Sequence, residues 1–106
     1  MRKGDELRRD LRVVSGASSL EGSITEKQMG YMNGLLGKVF GGGQSGDIAR
    51  HQFLEYVFGN SSSKALSKAE ASAVIDWLTS SEDAATEAHA ALTAWGAEHG
   101  QMEMQL

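Results

Sequence analysis

The side chains in this sequence that could carry chemistry are 3 histidines, 14 carboxylates and a scatter of serines. A metal site needs His or carboxylate ligands at short, repeated spacings. His51, His89 and His99 have no such spacing. Two carboxylates sharing acid–base work must face each other across a substrate. Glu70 and Asp76 do not share a helix face, so they form no local pair. The serines cluster at Ser61-Ser62-Ser63, where turn formation explains them, and no G-x-S-x-G elbow occurs. Gly41-Gly42-Gly43-Gln44-Ser45-Gly46 raises the question of phosphate binding. That chemistry needs G-x-x-x-x-G-K-[ST] or a preceding strand to hold the amides in a nest. Here no strand precedes the glycines and Asp47 follows them. The expectation is a non-enzymatic protein with no cofactor and no metal, in which the glycine run is a flexible connection.

Whatever function remains must lie in surfaces. At 106 residues, with 41% hydrophobic and 23% charged side chains, the chain fits one soluble domain with a single core. Pro is absent, which favours helices, and 13 Gly must supply the punctuation. With no Cys, disulfides and thiolate metal sites are excluded. No apolar run reaches the ~18 residues of a membrane span, and the charged start lacks the apolar stretch of a secretory signal. A cytoplasmic location and no membrane contact are expected. The net charge of -4 is unevenly spread. Arg2, Lys3, Arg8, Arg9 and Arg12 open the chain, whereas no Lys or Arg follows Lys68. Nucleic acid, if bound at all, must meet those five N-terminal cations.

Hydrophobic spacing places the elements. Leu7, Leu11 and Val14 form one stripe of a short helix within Asp5 to Val14, and Gly16 to Gly22 reads as a linker. Thr25-Glu26-Lys27-Gln28 is a capping box, with Ile24 and Met29 placed for a hydrophobic staple. Met29, Met32, Leu35, Leu36, Val39 and Phe40 then recur at helical period. Gly30 and Gly34 leave one face of that helix bare, which permits close approach of another helix. The helix from about Asp47 to Phe58 carries Ile48, Phe53, Leu54, Val57 and Phe58 inward, with His51 and Tyr56 partly exposed, and Gly59 closes it. Ser67-Lys68-Ala69-Glu70 is a second capping box, opening a helix with Ala71, Val74, Ile75 and Leu78 on one face and Trp77 beside it. Ser80 or Ser81 caps a last helix from Glu82 to about His99, with Ala85, Ala88, Ala91, Leu92 and Trp95 inward. The expected fold is all-α: four or five short helices, divided into a basic helix and linker (1–22), a helical domain (23–99) and a flexible tail (100–106).

The quoted motifs carry a resemblance. T-E-K-Q from Thr25, R-x-x-F-L-E-x-V-F-G from Arg50, and S-S-S-K-x-L-S-K-x-E-A-S-x-x-I-D-W-L from Ser61 together resemble a small helical module of phage and prophage proteins. It occurs at the end of larger recombination and replication proteins, and in a family of small regulatory proteins of Mu-like phages. The match spans about Ile24 to Leu78. It implies an accessory role in phage DNA metabolism or its regulation and carries over no catalytic residue. Separately, Gln101-Met102-Glu103-Met104-Gln105-Leu106 resembles the bacterial sliding-clamp-binding hexapeptide Q-L-x-L-x-L, with Met in place of the first two Leu.

The expected function is therefore binding of a protein partner in DNA replication, recombination or host defence. Candidate contacts are Gln101, Met102, Met104 and Leu106 of the tail with the aromatic residues Tyr56, Trp77 and Trp95. One alternative is DNA binding through Arg2, Lys3, Arg8, Arg9 and Arg12. Another is an acidic inhibitor that occupies a host enzyme's nucleic-acid site.

Overall fold

Thr25 and Ser67 start their helices as the capping boxes require. The Thr25 hydroxyl accepts the Gln28 amide at 3.0 Å, and the Gln28 side chain accepts the Thr25 amide at 3.1 Å. Ser67 and Glu70 repeat the exchange at 3.0 and 2.9 Å. The computed structural model describes residues 1–99. Among them are five α-helices: α1 (Gly4–Ala17), α2 (Glu26–Phe40), α3 (Gly43–Phe58), α4 (Lys68–Ser80) and α5 (Ala84–Glu98), with a 3-10 turn at Ser63–Ala65. The architecture is all-α, as expected. The two capped helix starts are tied together. Ile24 and Lys68 donate their amides to the Leu66 and Gly22 carbonyls, each at 3.0 Å, around an isolated antiparallel bridge between Ser23 and Ser67.

Helix α3 packs against α1, α2 and α5, while α4 bridges α1 and α2. The core is built from Leu7, Met32, Leu36, Phe53, Leu54, Val57, Leu66 and Val74, all fully buried. Phe53 stacks flat on Trp77, with centroids 5.6 Å apart, and meets Phe40 at a tilt. Burying side chains of this size stabilises by about 1.5–3 kcal/mol each. α1 is no detached basic segment. Leu7 and Leu11 seat it on α3, α4 and α5, making it part of the same body as the rest.

Several boundaries and faces differ from expectation. The glycine run is helix, not a flexible connection: α3 begins at Gly43, so only Gly41 and Gly42 separate it from α2. Gly41 and Gly43 have φ of 90 and 74°, which an L side chain rarely adopts. Gly46 is buried where any Cβ would run into the Gly41 carbonyl. The glycines thus make a sharp reversal that other residues could not. Tyr56, expected at the surface, is only 3% exposed, because α3 is covered on several sides and buries more than one stripe. Trp77 is likewise a core residue. Val14 and Ile48, expected inward, are half exposed. In α5 Ala84, Glu87, Ala88, Ala91 and Gly96 are buried and Leu92 and Trp95 pack partly buried against the core, while Ala85 faces out. The α5 cap is Asp83, whose side chain makes no capping bond; Ser81 instead accepts the Asp83 amide at 3.3 Å. Gly30 and Gly34, whose bare face was expected to admit a neighbouring helix, have none beside them among the described residues.

Candidate functional site

The strongest polar constellation surrounds Glu87, a residue that no motif in the sequence singles out. The residue is 2% exposed because α5 turns this position inward between Ala84, Ala88 and Ala91. Oε2 accepts the Arg2 amide and Arg2 Nε, each at 2.8 Å. Oε1 accepts Trp77 Nε1 at 2.8 Å, Arg2 Nη2 at 3.1 Å and the Ser81 hydroxyl at 3.4 Å. Burial alone would raise the pKa of this carboxyl. The bonds from Arg2 and Trp77 outweigh it and lower the value to about 2. Both oxygens are saturated, so Glu87 is a structural clasp between α1, α4 and α5, with no free lone pair for substrate or metal. Its place at the inward helical spacing of Ala84, Ala88 and Ala91 was the signal available in the sequence.

The N-terminal cations are largely committed to the fold. Arg2 holds Glu87 and reaches Asp10 at 3.2 Å. Arg8 pairs with Glu98 at 3.3 Å and lies over the Tyr56 ring, 4.3 Å from its centroid. Arg12 donates to the Val57 and Tyr56 carbonyls near the end of α3. Lys3 and Arg9 are left exposed, and Arg9 makes only a long 3.8 Å contact with Asp10. A phosphate backbone would have to compete with these internal partners.

The three candidate aromatic residues do not form one surface. Trp77 belongs to the core and the Glu87 clasp. Trp95, half-buried, donates Nε1 to Glu55 at 2.8 Å and stacks on His99, whose Nε2 lies 3.3 Å from the same carboxylate. Tyr56 stands under Arg8. Burial raises its pKa, only partly opposed by Arg8, so the hydroxyl stays protonated. The tail candidates Gln101, Met102, Met104 and Leu106 lie outside the described residues. No group of three or more His, Cys, Asp or Glu placed to hold a metal occurs among the described residues. None of their helices is long and apolar enough to cross a membrane.

The feature without an internal explanation is the outer face of α2. Gly30, Gly34 and Gly37 follow at i, i+4 and i+7, and Gly41 continues the line. A Cβ added at any of them would meet nothing within 4 Å. Beside this stripe stands Tyr31, 55% exposed, with Lys27 and Lys38 also exposed. No family model, no curated protein and no solved structure matches the chain.

Proposed function

We propose that this chain is a non-enzymatic accessory protein of the phage type that acts by binding a protein partner in DNA replication, recombination or host defence. One observation supports the binding role above the others: the bare glycine face of α2. Each helix-interior glycine costs about 0.5–1 kcal/mol relative to Ala. Gly30, Gly34 and Gly37 together cost roughly 1.5–3 kcal/mol, a large share of the ~5–15 kcal/mol of a typical domain. Among the described residues the cost has no return, because none of them packs on those positions. A partner backbone laid against α2 would need that clearance. Tyr31 would then contribute contact area, and Lys27 and Lys38 would favour a partner with carboxylates along its rim. The phage setting rests on the resemblance of Ile24 to Leu78, and the sliding clamp enters as a candidate partner through the tail motif at Gln101 to Leu106.

The test separates binding from folding. Ala at Gly30, Gly34 and Gly37 should raise thermal stability while abolishing capture of partners from host lysate, identified by mass spectrometry. A triple variant that is stabilised yet captures the same proteins refutes the α2 reading. Deleting Gln101 to Leu106 tests the clamp separately: unchanged clamp affinity by calorimetry removes that version.

A further inference from the structure

The last turn of α5 sets one titratable ring among groups that favour a cation. His99 caps this helix with its ring stacked on Trp95, centroids 4.2 Å apart and planes 14° from parallel. Its Nδ1 lies 2.8 Å from the Trp95 carbonyl oxygen, and its Nε2 lies 3.3 Å from Glu55 Oε2 on α3. Trp95 also holds Glu55 in place, since its Nε1 donates to the same Oε2 at 2.8 Å. A neutral imidazole has one N–H and one bare lone pair. In one tautomer that lone pair faces the carbonyl oxygen, in the other the carboxylate. Only the imidazolium, with two N–H groups, suits both oxygens. The indole face and the C-terminal end of the helix favour the same cation. The last turn of α5 has no Lys or Arg, and neither occurs anywhere after Lys68, so His99 is the residue of this helix end that can become positive.

We propose that His99 is a pH-operated latch: protonated, it fastens the last turn of α5 to α3 through Glu55, and neutral, it lets that turn open. Imidazole is the side chain that changes charge between about pH 5 and 8. The latch therefore holds on the acid side of that range and is lost as pH rises through it. Few other charges stand near. From α1, Arg8 pairs at 3.3 Å with Glu98, the chain neighbour of His99. On α3, His51 stands one turn before Glu55, its Nε2 3.2 Å from Arg50 Nη2. Neither α2 nor α4 forms an ion pair with this end of α5 among the described residues. α2 brings the Phe40 ring to His89, further back on α5. The His99 and Glu55 side chains are 43% and 42% exposed, so solvent protons reach the pair and screening keeps its strength modest. The latch is independent of the α2 face and of the tail motif, so each proposal can fail alone.

The experiment reads hydrogen exchange at the Glu98 and His99 amides of the 15N-labelled full chain, corrected for intrinsic exchange, at about pH 5.5 and about pH 8. Protection should fall about 2–5-fold at the higher pH, the scale of one charge at an exposed helix C-terminus. His99→Gln, which cannot take up a proton, should give the low protection at both pH values. Glu55→Gln keeps an oxygen for Trp95 Nε1 but removes the charge, and should lose about half or more of the pH response. His51→Gln and His89→Gln should keep the response in full. The proposal is overturned by wild-type protection that is the same at both pH values, by an undiminished response in His99→Gln or Glu55→Gln, or by its loss in His51→Gln or His89→Gln.

Discussion

Replacing Glu87 with Gln isolates the charge of the clasp while nearly preserving its shape. The wild-type carboxyl titrates near 4.5 when unfolded and at about 2 when folded. A depressed folded value means stability that is fully present above the unfolded pKa and lost as pH falls from about 4.5 towards 2. At 1.36 kcal/mol per unit the shift is worth about 3 kcal/mol at neutral pH. Arg2, whose side chain is 35% exposed, is screened by solvent, so about 2–3 kcal/mol is the working figure. Glu87→Gln should therefore unfold in less urea at neutral pH, followed by far-UV circular dichroism. The difference between the proteins should shrink progressively below about pH 4.5 and almost vanish near pH 2. Other carboxylates titrate equally in both proteins and cancel. A difference that stays constant across that range would show that the Glu87 charge is not what the clasp holds, and the reasoning would fall.

Other substitutions probe the remaining joints. Ser67→Ala removes one half of a capping box and should cost about 1 kcal/mol in chemical denaturation, with Thr25→Ala similar. Gly4→Ala pushes a methyl to 2.8 Å from the Ala90 carbonyl and 2.9 Å from the Ala94 Cβ. It should destabilise by about 1–3 kcal/mol, whereas Gly16→Ala in the same helix, with nothing within 4 Å, should be neutral or slightly stabilising. Trp77→Phe leaves Glu87 Oε1 short of a donor and should cost about 1–3 kcal/mol; an unchanged urea midpoint would contradict the bond. Arg9→Ala should leave stability unaltered, while Arg12→Ala should lower it by about 1–2 kcal/mol, since its bonds to two α3 carbonyls are lost.

What could be read from the sequence was what local chemistry decides. Both capping boxes, the Gly59 terminus with φ 79° and the Met32–Leu36 stripe are where spacing placed them, because each depends on residues within one or two turns. Features set by several helices at once were not legible. Tyr56 and Trp77 look amphipathic and off-stripe in one dimension, yet α3 and α4 are each covered from more than one side. Glu87 looks like surface acid until Arg2, distant in sequence, arrives to neutralise it. At Gly41 to Gly46 the low helix propensity of glycine pointed to a loop, but the tight α2–α3 reversal needs backbone without side chains, and that steric demand prevailed. The candidate glycine face was half legible: the spacing of Gly30 and Gly34 is plain, but only the packing shows that none of the described helices lies on it.

The bond from Arg2 to Glu87 spans 85 positions, and α1 packs on α3, α4 and α5. During synthesis this sets an order of events. A 14-residue helix is marginal in isolation, and α1 meets α3, α4 and α5 only as each is made, with the Glu87 end of the clasp coming last. That is roughly eighty residues later, on the order of 4–16 s at ~5–20 residues per second. Before α3 and α4 arrive, Leu7 and Leu11 are open to chaperones and proteases. Of the five helices α1 is translated first, yet its docking is completed only once α5 has been made.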